Sequence, residues 1–181
     1  MGDIESVAYF KVAMQGVTLV SLGLSAINMV IMPNVARLYK EGNLEATQIL
    51  LTKSVRLSCL VSLPIIFILV FFGDFFINIL FGSEYLEAYP ILVILCIGQA
   101  MKLLMGSTGL VLNMTGNEKL ALKTVSITVS INVILLTMLI PYYGLVGAAI
   151  SISLSLFINN FLMGTHVWRI TTLTTWLSFK V

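Results

Sequence analysis

Five stretches of this chain run for about the thickness of a bilayer with at most one charged side chain apiece: residues 17–35, 55–72, 88–113, 120–140 and 145–163. A helix rising 1.5 Å per residue crosses the hydrocarbon, about 30 Å, in roughly 20 residues. Lipid offers no hydrogen-bond partners, so such runs must satisfy their own backbone, and a helix does so. Composition agrees. The 181 residues are 59% hydrophobic and 10% charged, against about 25% charged in ordinary soluble domains, and the mean hydropathy is +1.04. A soluble globule, a disordered chain and a nucleic-acid binder are excluded, and a net charge of +2 is too small for a polyanionic partner. The expected fold is all-α, a polytopic helical membrane protein with a transmembrane bundle over 1–164. Its spans are 4–38, 55–72, 88–113, 120–140 and 145–163. Residues 73–85 are expected to form an interfacial segment, and 165–181 a cytoplasmic or interfacial tail. The second span, nearly bare of polar residues, is expected to face lipid, with Pro64 as a tolerated kink.

Charge between the spans sets an expected orientation. Arg37, Lys40, Lys53 and Arg56 follow the first span, Lys119 and Lys123 the third, and Arg169 and Lys180 the fifth. The connections on the other side carry Asp74, Glu84 and Glu87, or no charge at all in Pro141–Gly144. Basic residues collect on the cytoplasmic side, so the N-terminus is expected outside and the C-terminus in the cytoplasm. Trp168 and Trp176 suit an interface, as does the pair Tyr142 and Tyr143.

Polar residues recur at helical spacing inside the spans. The third carries Gln99, Lys102, Gly106, Gly109 and Asn113; the first Gln15, Thr18, Ser21, Ser25 and Asn28; the fourth Thr124, Thr128 and Asn132; the fifth Gly144, Ala148, Ser151, Ser155 and Asn159. For the small residues, close helix packing is the ordinary use. Lys102 is different: it falls near the middle of 88–113, too deep to snorkel easily, with no acidic residue at the same depth. A cation there suits a water-filled cavity or an anionic substrate. The candidate cavity residues are Lys102, Gln99, Asn28, Asn132 and Asn159.

Enzyme chemistry is not expected. His166 is the single histidine and stands at a span's end, where an interfacial role is expected. Cys59 and Cys96 lie inside separate apolar runs and read as small core residues. No catalytic pair, metal-ligand set, phosphate loop or cofactor motif is formed.

Four segments carry a family resemblance. MPNVARLYKEGN (32–43), FFGDFFINILFGSEYLEAYPIL (71–92), VLNMTGNEKLAL (111–122) and LIPYYGLVGAAISISLS (139–155) resemble, in order and spacing, segments of the Wzx-like lipid-linked oligosaccharide flippases, of O-antigen or teichoic-acid type. These belong to the multidrug/oligosaccharidyl-lipid/polysaccharide exporter superfamily. The resemblance implies two lobes around a central cavity. It also implies alternating access in a bacterial plasma membrane, and a substrate of undecaprenyl-diphosphate-linked oligosaccharide whose diphosphate is engaged by basic residues. About five spans of the C-terminal lobe are present, so the chain is expected to be incomplete as it stands, needing an N-terminal lobe or self-association. A multidrug-type antiporter lobe, which buried acidic residues would favour, and a non-transporting subunit or remnant are the alternatives.

Overall fold

A computed structural model describes residues 3–176 of the chain; Lys180 and the rest of 177–181 of the expected tail lie outside them. The described residues form helices without strands: α1 (Asp3–Lys40), α2 (Leu44–Phe81), a 3₁₀ turn (Ser83–Ala88), α3 (Tyr89–Met105), α4 (Thr108–Met114) and α5 (Glu118–Thr171). The protein is an all-α polytopic membrane protein, with long apolar helices that expose much of their surface where lipid would lie. Leu60, Phe67, Phe71 and Phe75 of α2 are examples.

The same dipeptide makes two of the connections. Gly42 (φ +73°) ends α1 and Gly116 (φ +78°) ends α4, each in the left-handed region that suits glycine. In both, the following asparagine N–H reaches back five residues, Asn43 to Leu38 O (3.0 Å) and Asn117 to Leu112 O (2.9 Å). Asn43 then opens α2, its Oδ1 accepting from the Ala46 N–H at 3.0 Å. Both turns sit among the basic residues of the expected cytoplasmic side.

α1 and α2 pack as an antiparallel hairpin. Gly23 lies against Val61 and Ser62, and Ser62 Oγ donates to Val20 O across the seam (3.4 Å). The expectation that the second span faces lipid therefore fails along one side: Ser54, Ser58 and Ser62 are buried against neighbouring helices. α2 also runs on through residues 73–81, which the sequence reading assigns to an interfacial segment. A lone interior glycine costs a helix only about 1 kcal/mol, and here Gly73 makes a notch for Tyr89 and Leu92 of α3. Tyr89 Oη donates to Val70 O at 2.7 Å in the same seam. The helix stops at Gly82 (φ +101°) instead.

α5 folds back on itself. Gly144 (φ 56°, ψ −132°) interrupts it three residues after Pro141, which lacks an N–H. Thr128 then faces Asn159 and Asn132 faces Ser155, so the arms 118–143 and 145–171 are antiparallel. These arms are the fourth and fifth spans. The third span, expected to be continuous over 88–113, is instead broken into α3 and α4 at Gly106–Ser107. Both pieces run parallel to the second arm of α5: Gly98 packs on Ser153, Thr108 on Asn160 and Gly109 on Met163.

Two apolar clusters result. One gathers Val12–Leu24 of α1, Val55–Ile77 of α2 and Ile91–Leu103 of α3; the other joins Val35, Leu51, Leu110–Leu112, Met163, Val167 and Leu173. Cys59 and Cys96 are buried free thiols within the first. A Cβ on Gly98 would lie 2.9 Å from the Ser153 backbone. Gly98→Leu should accordingly destabilise the fold by about 1–3 kcal/mol, the usual cost of overpacking, measured as a lowered unfolding midpoint in detergent.

A polar cavity at a broken helix

Between the two apolar clusters the structure places a belt of polar side chains, and its centre is the break after α3. Gly106 has φ +73° and ψ −166°, strained for any residue with a Cβ. A Cβ would also collide with the Thr175 carbonyl oxygen and with Val55, at 2.7 Å from its Cγ2. Gly-Ser pairs are a recognised source of sharp helix kinks. The break therefore has a sequence signal, but it is hidden because Gly106 also fits the helical stripe.

The groups next to the break are met by side chains from two other helices. Ser107 Oγ donates to Asn28 Oδ1 at 2.6 Å, and Thr108 Oγ1 donates to Asn160 Oδ1 at 3.2 Å. Asn160 in turn donates to Leu156 O (2.8 Å). Asn28 stands near the middle of the uncharged run 17–35 of α1, and Asn160 near the middle of the second arm of α5. The break thus packs against residues inside the apolar runs of α1 and α5, where irregular backbone is tolerated only if protein or a water-lined cavity surrounds it.

A cavity of about 300 Å³ opens there, walled by Ser21, Ser25 and Asn28 of α1, Lys102 and Ser107 at the break, and Asn159 of α5. A second hollow, about 230 Å³, lies between the arms of α5, lined by Thr128, Asn132, Ser155 and Asn159; Asn159 and Leu156 border both. A third, lined by Asn113, Glu118 and Lys119, adjoins the first through Gly109 and Met163. The polar belt thus continues from mid-span to the Gly116–Asn117 turn.

Of the sequence-derived candidates, Lys102, Asn28 and Asn159 line one cavity, and Asn132 lines the neighbouring one. Gln99 is one turn closer to the start of α3 and is not among the lining residues. The α1 stripe also divides. Gln15 borders an apolar groove against α2 and α3, whereas Ser21, Ser25 and Asn28 face the cavity. Repeated steps of three residues fall short of a full 3.6-residue turn, so Gln15 and Asn28 end on different sides of α1. Ser107, Thr108 and Asn160 were not among the candidates, although Asn160 adjoins Asn159 and faces the other way, into α4.

The asparagines do both jobs that the sequence left open. Asn28, Asn132 and Asn159 each accept a hydroxyl hydrogen bond through the carbonyl oxygen, from Ser107, Ser155 (3.1 Å) and Thr128 (3.3 Å) respectively, which is interhelical packing. The amide hydrogens of Asn28 and Asn132 have no partner among the described residues. Lys102 is half-buried in the last turn of α3, where unpaired carbonyls and the negative end of the helix dipole favour a cation. Among the described residues, no acidic side chain lines this cavity. Its free hydrogen-bonding capacity is donor-rich and positively charged, which suits an anion. No group of three or more metal-ligating side chains occurs among the described residues.

The chain is similar to known membrane and polysaccharide-biosynthesis proteins. Residues 3–90 match the family described as "Polysaccharide biosynthesis protein". An "Uncharacterized membrane protein" of Methanocaldococcus jannaschii is 33% identical over 151 residues, covering 83% of this chain and 30% of that protein. The "Probable low-salt glycan biosynthesis flippase Agl15" of Haloferax volcanii is 30% identical over 159 residues, 86% of this chain and 33% of that protein. The "Capsular polysaccharide biosynthesis protein CapF" of Staphylococcus aureus is 28% identical over 158 residues, 87% and 38% respectively. The chain spans about a third of the length of these curated relatives.

If the Asn28–Ser107 bond helps hold the break, Asn28→Leu and Ser107→Ala should be non-additive. A double-mutant cycle on unfolding in detergent should give a coupling of about 0.6–1.7 kcal/mol, as for other hydrogen bonds between membrane helices.

Proposed function

From its similarity to a polysaccharide biosynthesis family and to a probable glycan flippase, we propose that the chain is of the Wzx-like polysaccharide-flippase type and supplies one wall of a pathway that moves a lipid-linked oligosaccharide across the plasma membrane. The supporting observation is Lys102, a cation at mid-span in a donor-rich cavity with no acidic residue in its lining. An intramembrane charge is costly and ordinarily marks a substrate pathway. A diphosphate joining a glycan to undecaprenol is the chemistry that Lys102 and Asn28 together would hold. An N-terminal lobe or a second copy would supply the other wall, as alternating access requires. We place the two Gly-Asn turns in the cytoplasm and the Pro141–Gly144 turn outside, following the basic residues.

Two measurements test this reading. Lys102→Ala should lower glycan export at least about tenfold, the loss expected for one charge-assisted hydrogen bond, with membrane abundance unchanged, and Lys102→Arg should retain more export than alanine does. Loss of abundance together with export would make Lys102 a structural residue. For orientation, a cysteine at Tyr142 should react with a membrane-impermeant maleimide on intact cells, and one at Gly42 only after lysis.

A further inference from the structure

Past the end of α5, the chain turns back beneath the break. Thr172 adopts the left-handed conformation (φ 58°) and caps the helix, its N–H bonding Trp168 O at 3.0 Å. Residues 173–175 then run as an extended strap, with Leu173 and Thr175 almost wholly buried (3% and 2% exposed). Gln48 of α2 grips this strap as a neighbouring strand would. Its Nε2 donates to Thr174 O at 2.9 Å, and its Oε1 accepts from the Thr174 N–H at 2.8 Å. The same Nε2 reaches Thr52 Oγ1 (3.2 Å), which fixes the amide's orientation.

One residue further on, the Thr175 carbonyl packs directly on Gly106, on the side where any other residue would carry its Cβ. Thr175 Oγ1 is buried without a hydrogen-bond partner among the described residues. A segment that leaves a buried hydroxyl unsatisfied, at a cost of about 1–3 kcal/mol, must be held there by other contacts. The Gln48 clamp and the burial of Leu173 are those contacts.

We propose that Gln48 and the strap 172–175 form a brace that keeps the helix broken at Gly106, making Gln48 a positioning residue for Lys102 and Ser107. Without the brace, Gly106 has room to relax toward a continuous helix. Its N–H now bonds Leu103 O at 3.1 Å; in a continuous helix it would instead bond Lys102 O, four residues back. Ser107 would then rotate away from Asn28. This inference rests on the cavity proposed above as the pathway, but its test does not require transport.

The experiment uses the full protein in its native membrane with Cys59→Ala and Cys96→Ala, and a single reporter cysteine at Ser107 or, as a control, at Asn132. Modification by a membrane-impermeant methanethiosulfonate is timed with Gln48 intact, with Gln48→Leu and with Gln48→Glu. The brace requires Gln48→Leu to slow the Ser107 reporter about tenfold, the effect of losing two net hydrogen bonds, while the Asn132 reporter keeps its rate. Gln48→Glu, which can still accept from Thr174 but no longer donate, should fall between. An unchanged Ser107 rate overturns the proposal. Equal changes at both reporters also overturn it, because the clamp would then be a general structural contact. If the reporters respond as the brace requires but glycan export is unaffected, the brace stands and the transport reading fails.

Discussion

A helix that stops inside hydrocarbon must hand its free carbonyls and N–H groups to something other than lipid, and at the break the chain meets part of that requirement itself, the Gly106 N–H bonding Leu103 O and the Thr108 N–H bonding Gly106 O. Asn28 takes up the Ser107 hydroxyl, Asn160 takes up that of Thr108, and the Thr175 carbonyl and Val55 fill the space a side chain at 106 would need. These partners come from α1, α5, the strap after α5, and α2. Moving any one of the helices therefore disturbs the same few atoms. The break explains why α1 and the second arm of α5 converge on α3, and why the polar belt divides one apolar cluster from the other.

The belt also accounts for the placement of charge. Lys102 would be hard to keep on an unbroken span, where it would have only lipid or apolar neighbours. At the end of a helix it gains the carbonyls and the dipole of α3's last turn, and beside the break it gains a cavity. Asn28 turns its oxygen to Ser107 and keeps its amide hydrogens available beside Lys102, whereas Asn159 and Asn160 donate theirs to Met163 Sδ and Leu156 O. Close approach supports this geometry from a distance: Gly23, Gly73, Gly98 and Gly147 each sit where another element presses into the helix, letting the helices draw near enough for single hydroxyls to bridge them.

Much of this was legible in the residues. Long uncharged runs marked the membrane helices because hydrocarbon thickness and helix rise leave little freedom, and the arms of α5 correspond to two separately recognised runs. The 3.6 period found the polar faces, and Lys102, Asn28, Asn132 and Asn159 do border adjoining hollows. Periodicity misled where it assumed a continuous, straight helix. It joined Gln15 to Asn28 across a drifting stripe, kept Gln99 with Lys102, and treated Gly106 as one more small residue on a face. It also assigned 73–85 to an interface, because composition cannot show that Tyr89 and Leu92 fill the notch at Gly73.

By itself, the sequence determined that this chain lives in a bilayer as helices and that one charge falls inside an apolar run. Those outcomes follow from transfer free energies summed along short segments. The tertiary structure alone decided that the third span is broken and that α2 buries Ser62 against α1. It alone decided, too, that Gln48 meets Thr174 from 126 positions away. Such contacts depend on which helices become neighbours, and local pattern carries no record of that.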